Sequence, residues 1–335
     1  MLIAGVGATC AAYFLWPNES RSAPTYGSKP LSPTHFTPAK LVSSEISSID
    51  TKILTLAVPP ELLPMHDPES LASIWSIYIK DDDIQVERPY TPLEGVDEKG
   101  HMKFWVKKYE KGEVGRWLHS KTVGDDIEVR GPMQTWRWKE DVWDEVIMIS
   151  GGTGITPFYQ LLHNTFSTSG SNTKTRFTLL HSSRTPSELP PSEILGPLLR
   201  YTEEMPDFFS LRLFVDSSRE PAPPDHIHPR LTIGRIGRTA VQDALQSDEQ
   251  TSWWRNLFTK ESLPSVSPER RILFLVCGPE QSVLHSSSCT YDRNKYDCPR
   301  MINAIAGPYG RNFSQGEVGG ILGEMGYRSH QVRKL

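Results

Sequence analysis

Cysteine is scarce in this chain: four residues in 335, Cys10, Cys277, Cys289 and Cys298, with no C-x-x-C pair among them. That excludes a C-x-x-C-H haem attachment and the cysteine spacings of iron–sulfur clusters, and it argues against a zinc site. A strong charge of one sign is also missing. Lys and Arg number 36 against 40 Asp and Glu, a formal net charge of -4. With no overall basic field to hold a polyphosphate, nucleic acid is excluded as a partner. Internal repeats are lacking too. The glycine-rich stretch "VIMISGGTGITPFYQLL", residues 146–162, fits neither G-x-G-x-x-G nor G-x-x-x-x-G-K-[ST], so the two most familiar nucleotide loops are ruled out there.

The 37% hydrophobic and 10% aromatic content is enough to build two cores. The amino terminus has its own character, because Leu2 to Pro17 carries no charge. The run is close to the minimum that spans a bilayer and lacks the basic start of a secretory signal. Residues 1–17 are expected to form a membrane anchor. Residues 18–34, rich in Pro and Ser, are expected to be a tether.

From His35 the chain turns to short alternating runs, "AKLVSSEI", "TKILTLAVP", "SIWSIYIK", "HMKFWVKKYE" and "DDIEVRGP", broken by Pro, Gly and Asp. Period-two patterning with β-branched and aromatic residues predicts a small antiparallel barrel over 35–138, interrupted by one helix near 113–121. "ERPYTPL", Glu87 to Leu93, falls at a strand end. There Arg88 suits a phosphate, Tyr90 suits a planar ring, and Thr91 can hydrogen-bond a ring nitrogen.

The pattern changes after Trp143. Apolar runs alternate with helical stretches through 139–335, which predicts a doubly wound parallel sheet covered on both faces. Ligands of such sheets lie beyond the carboxyl ends of the strands. "ISGGTGITP" follows the first strand, offering Gly151, Gly152, Thr153 and Gly154 for close backbone approach, then Thr156 and Pro157 to open a helix. "FLVCGPE" places Cys277, Gly278 and Pro279 at a second strand end.

Together Arg-x-Tyr-Thr, a glycine-opened helix, "GDDIEVRGP", Gly-Gly-Thr-Gly-Ile-Thr-Pro and Cys-Gly-Pro resemble the ferredoxin–NADP reductase superfamily, especially NADH–cytochrome b5 reductases. The resemblance implies an FAD domain followed by an NAD(P)H domain. It implies that Arg88 holds the flavin phosphate, that Tyr90 packs on the flavin and ribityl chain, and that Thr91 lies near flavin N5. Lys107 and Tyr109 fall on its second flavin-contacting strand, and Gly112 and Gly115 lie at the helix that receives the diphosphate. The family usually has a Ser or Thr where this chain has Gly115, which leaves backbone N–H groups to bind the anion. Gly151 to Pro157 match the pyridine-nucleotide loop, with Thr156 near the nicotinamide. Cys277 matches the thiol beside flavin and nicotinamide. Asp216 in "LRLFVD" disfavours a 2′-phosphate and so favours NADH over NADPH, while Ser183 and Arg184 offer a competing phosphate site.

Two features depart from that family. The chain ends in "QVRKL" rather than in an aromatic residue, and a loop over 281–315 carries Cys289 and Cys298, which can pair in an oxidising compartment. The inserted loop and "AGPYG" resemble a fungal mitochondrial branch, membrane-anchored flavoproteins that supply electrons to haem for cytochrome c. The expectation is an oxidoreductase passing hydride from NAD(P)H to FAD and single electrons to a haem or cytochrome acceptor. The expected location is a mitochondrial membrane, with the endoplasmic reticulum as the alternative. A flavin-binding assembly partner with little turnover is the rival reading.

Overall fold

A computed structural model describes residues 23–63, 74–139, 142–167, 174–217, 231–246, 270–278, 301–309 and 314–335. The anchor segment, Cys10, Pro279, Cys289 and Cys298 lie outside these residues. Among those described, no helix is long and apolar enough to cross a membrane.

The first unit contains β1 (Thr37–Ser48), β2 (Thr51–Ala57), β3 (Ile74–Lys80), β4 (Glu87–Tyr90), β5 (His101–Lys107), helix α1 (Glu113–Ser120) and β6 (Asp126–Trp136). The strands form one antiparallel sheet in the order β4-β3-β6-β1-β2-β5. Past β4 the chain returns to the opposite edge, where the Leu93 N–H donates to the Lys103 carbonyl of β5 at 2.9 Å, so the sheet curls on itself. Alternate strand residues Leu54, Leu56, Phe104, Ile127 and Val129 fill its interior. Helix α1 adds Val114, Trp117 and Leu118 to that core.

The second unit runs β7 (Glu145–Gly151), α2 (Thr156–Ser167), β8 (Arg176–Ser183), α3 (Ser192–Glu204), β9 (Phe209–Val215), β10 (Leu231–Ile233), α4 (Arg238–Gln246), β11 (Ile272–Cys277), α5 (Met301–Ala306), α6 (Gly320–Glu324) and β12 (Val332–Lys334). Its parallel sheet has the order β10-β9-β8-β7-β11-β12. All seven residues of β7 are buried, because helices cover both faces. Val146 and Met148 join the core under α2 and α3, whereas Ile147 and Ile149 join the core under α4 and α5. This is the expected β-barrel plus α/β architecture. The strand order reverses between β7 and β11, and that crevice is the ligand-binding position of such sheets.

Residues 23–34 are not a tether. Leu31 is buried in the barrel core, and its N–H donates to the Leu62 carbonyl at 2.6 Å. Arg130 donates to the Pro33 carbonyl at 2.8 Å, and the Gly131 N–H to the Ser32 carbonyl at 3.1 Å. The Pro and Ser content that reads as flexible chain is here anchored by one apolar side chain and by hydrogen bonds from distant residues.

Candidate functional site

The second unit contributes two loops that touch. Gly151 ends β7 in an extended conformation, Gly152 takes φ 51°, and residues Gly152–Ile155 form a single tight turn leading into α2. The Thr156 hydroxyl closes that turn on the Thr153 carbonyl at 3.0 Å, and Pro157 follows in the first turn of the helix. A Cβ built on Gly154 would stand 2.5 Å from the Cys277 carbonyl oxygen and 2.8 Å from the Gly278 Cα. Only glycine permits this contact between the β7 and β11 loops. Cys277 is a free thiol at the end of β11, opposite Ser150 in register, and burial pushes its pKa up to about 12. It is a neutral thiol and not a thiolate nucleophile at physiological pH.

The barrel supplies the facing wall. Arg88 is exposed on β4 and donates to its neighbour's carbonyl, that of Glu87, at 2.9 Å. The Glu87 carboxylate is occupied by Arg130, at 2.6 and 2.8 Å. Among the described residues Arg88 therefore keeps a guanidinium with no carboxylate partner, which suits a phosphate. Tyr90 is half-buried, and desolvation raises its hydroxyl pKa. Thr91 follows, also half-buried. Tyr109, exposed just past β5, points its hydroxyl toward the nucleotide loop: a Cβ built on Gly152 would lie 4.0 Å from it. Gly112 precedes α1 and leaves the helix N-terminus without a side-chain cap. A Cβ on Gly115 would meet the Lys107 carbonyl at 2.8 Å, so the missing hydroxyl reflects close packing of α1 on β5. The first N–H groups of α1 are left to receive an anion.

Three sequence candidates are placed differently from their expected roles. Lys107 is 8% exposed and bridges the units, pairing with Glu188 at 2.8 Å and Asp50 at 3.1 Å. The Ser183 hydroxyl is buried and donates to the Glu188 carbonyl at 3.1 Å, so it is not open to a phosphate. Arg184 is held by Glu188 through Nε at 2.9 Å and Nη2 at 2.7 Å. This hydrogen-bonded pair raises the Arg184 pKa further. Asp216, just past β9, is 13% exposed and lies 3.4 Å from Arg235 Nε, yet its Oδ1 has no hydrogen-bond partner. A carboxylate at this strand end, ion-paired but not hydrogen-bonded through Oδ1, fits a ribose hydroxyl.

Other residues of the site carry no motif. Gln160, wholly buried on α2, accepts from the Trp75 N–H and donates to the Pro92 carbonyl, both at 2.9 Å. It thereby fixes the Tyr90–Thr91–Pro92 segment against the second unit. His181 is buried in β8, with Nδ1 2.8 Å from the Ser150 hydroxyl and Nε2 3.2 Å from that of Ser183. Because Ser183 donates its proton to Glu188, His181 donates from Nε2 and accepts at Nδ1. Burial lowers its pKa to about 3, so it is neutral. Buried polar residues inside the strand run "LLHSS" were the available sequence signal.

Residues 38–138 match the family described as "Oxidoreductase FAD-binding domain", and residues 148–226 match "Oxidoreductase NAD-binding domain". The fold resembles the cytochrome b5 reductase domain of Ulva prolifera nitrate reductase, with TM-score 0.60 at 18% identity, over 92% of this chain and 100% of that one. The chain is thus an FAD- and NAD-binding oxidoreductase. It is homologous to fungal proteins named NADH-cytochrome b5 reductase 2. That of Scheffersomyces stipitis is 28% identical over 88% of this chain and 82% of its own. That of Saccharomyces cerevisiae is 28% identical over 87% and 80%. Its two domains are FAD-binding and NAD-binding, and Arg88 without a carboxylate partner, the uncapped α1 and the Asp216 carboxylate fit these ligands.

Proposed function

We propose that the crevice between the β7 and β11 loops and the wall of Arg88, Tyr90 and Tyr109 is where electrons pass from NADH to a haem-protein acceptor. The observation that carries this reading is the approach of Gly152 to Tyr109, which sets the nucleotide loop against the flavin wall. When bound, FAD accepts hydride from NADH and releases electrons singly. The chain's residues do the positioning. Arg88 and the α1 N-terminus, with Gly112 and Gly115, hold the flavin phosphates. Tyr90 covers the ring and Thr91 faces its reactive edge. Gly151 to Gly154, Thr156 and Pro157 carry the nucleotide diphosphate and nicotinamide. Asp216 accepts from the ribose. Cys277, neutral and packed against Gly154, with Gly278 beside it, excludes water from the junction. Lys107 acts here by locking the two units together.

The acceptor we propose is a cytochrome b5-like haem protein, in keeping with the names of the relatives. The uncharged run from Leu2 to Pro17 supports a membrane anchor, and the inserted loop with "AGPYG", through its resemblance to a mitochondrial branch, supports a mitochondrial inner membrane for it. Reduction of purified cytochrome b5 by full-length protein and NADH, followed at the haem bands, tests the acceptor. Fractionation of cells tests the location. No haem reduction over the uncatalysed rate, with flavin bound, refutes the acceptor, and recovery in the microsomal fraction refutes the location.

A further inference from the structure

We propose that Glu188 sets the nucleotide preference by holding Arg184 away from the ribose of the bound dinucleotide. This rests on the reading above, in which the dinucleotide lies across the ends of β8 and β9. The parallel register pairs Ser183 with Val215, which brings Arg184 beside Asp216. The Ser217 N–H donates to the Arg184 carbonyl at 3.2 Å, which fixes that neighbourhood. Adjacent parallel strands lie about 4.8 Å apart, well within the reach of an arginine side chain. The Arg184 guanidinium nevertheless turns to Glu188, in a two-point pair at 2.7 and 2.9 Å.

Glu188 is itself fixed. Its carboxylate also takes Lys107 at 2.8 Å, and its carbonyl accepts from Ser183 at 3.1 Å. Asp50 completes the group, 3.1 Å from Lys107 and 4.0 Å from Arg184. Two cations and two anions leave no net charge. Among the described residues the other cation at the ribose end is Arg235, which faces Asp216 at 3.4 Å. A 2′-phosphate arriving there meets the Asp216 carboxylate and finds Arg184 already engaged. Removing the Glu188 charge frees a guanidinium that is 45% exposed and next to Asp216. Arginine binds phosphate in two-point fashion, so the gain falls on NADP and not on NAD.

The test is calorimetric binding of NAD+ and NADP+ to the full-length flavin-loaded protein, which reads affinity without turnover. E188Q is expected to raise the affinity for NADP+ relative to NAD+ by about tenfold. The double variant E188Q/R184Q is expected to lose that gain. R184Q alone, which keeps Glu188 on Lys107, is expected to leave the NADP+ to NAD+ ratio at the wild-type value, and this holds as a test if E188Q does not fold. Equal shifts for both nucleotides in E188Q, persistence of the gain without Arg184, or a changed ratio in R184Q each overturn the proposal alone. Wild-type protein that binds neither nucleotide overturns the functional reading, and the proposal with it.

Discussion

Gly154 and Cys277 meet where β7 and β11 end, so closely that a methyl group on the glycine would stand 2.5 Å from the cysteine carbonyl. This contact joins two motifs 123 positions apart into one crevice at the reversal of strand order. G154A must push the two loops apart, because the obstructing atoms belong to the backbone. The expected result is loss of NAD+ affinity by about tenfold or more, with destabilisation of about 1–3 kcal/mol for the strained packing. Calorimetry and thermal unfolding check both. Unchanged NAD+ binding would separate the contact from the nucleotide site.

Gln160 joins the units at a buried point. Q160L leaves the Trp75 N–H and the Pro92 carbonyl without partners, at about 1–3 kcal/mol each. The expected total is about 2–6 kcal/mol of stability together with weaker flavin retention, since Pro92 follows Tyr90 and Thr91. Chemical denaturation followed by flavin and tryptophan fluorescence measures this. A loss under 1 kcal/mol would mean that water replaces both bonds.

Arg88 has no carboxylate partner among the described residues, so R88A should cost flavin affinity and little stability. The predicted signature is a purified variant with flavin occupancy reduced by about tenfold and a melting temperature restored by added FAD. Full occupancy at wild-type dilution would move the phosphate site elsewhere.

His181 links stability to pH. Its folded pKa, about 3, lies below its ordinary value of 6.5, so it contributes stability that is fully present above pH 6.5. As pH falls from 6.5 toward 3 the unfolded chain binds a proton that the folded one refuses, and stability declines by up to about 1.4 kcal/mol per unit from this group. H181Q should flatten that part of the profile. A wild-type slope kept by the variant would assign the acid sensitivity to other groups.

Much of the architecture and the glycine loops were legible because their signals are local. Period-two runs gave the barrel, doubly apolar runs gave the parallel sheet, and glycines marked the close approaches at Gly152 and Gly154. What was not legible is long-range polar pairing. Lys107 reads as a strand lysine near a ligand, and nothing within its run reveals Glu188, 81 positions later, or Asp50. Gln160 lies in an apolar helix and finds its partners 68 and 85 positions away. Residues 23–34 show the same limit, since composition reads as tether while Leu31 supplies the anchoring contact.

The most direct measurement is an anaerobic absorbance titration of the purified full-length protein with NADH and, separately, NADPH. The predicted result is a flavin spectrum that bleaches stoichiometrically with NADH and requires far more NADPH. A flavin spectrum unchanged by NADH would contradict the assignment of the Gly154–Cys277 crevice as the place where nucleotide and flavin meet.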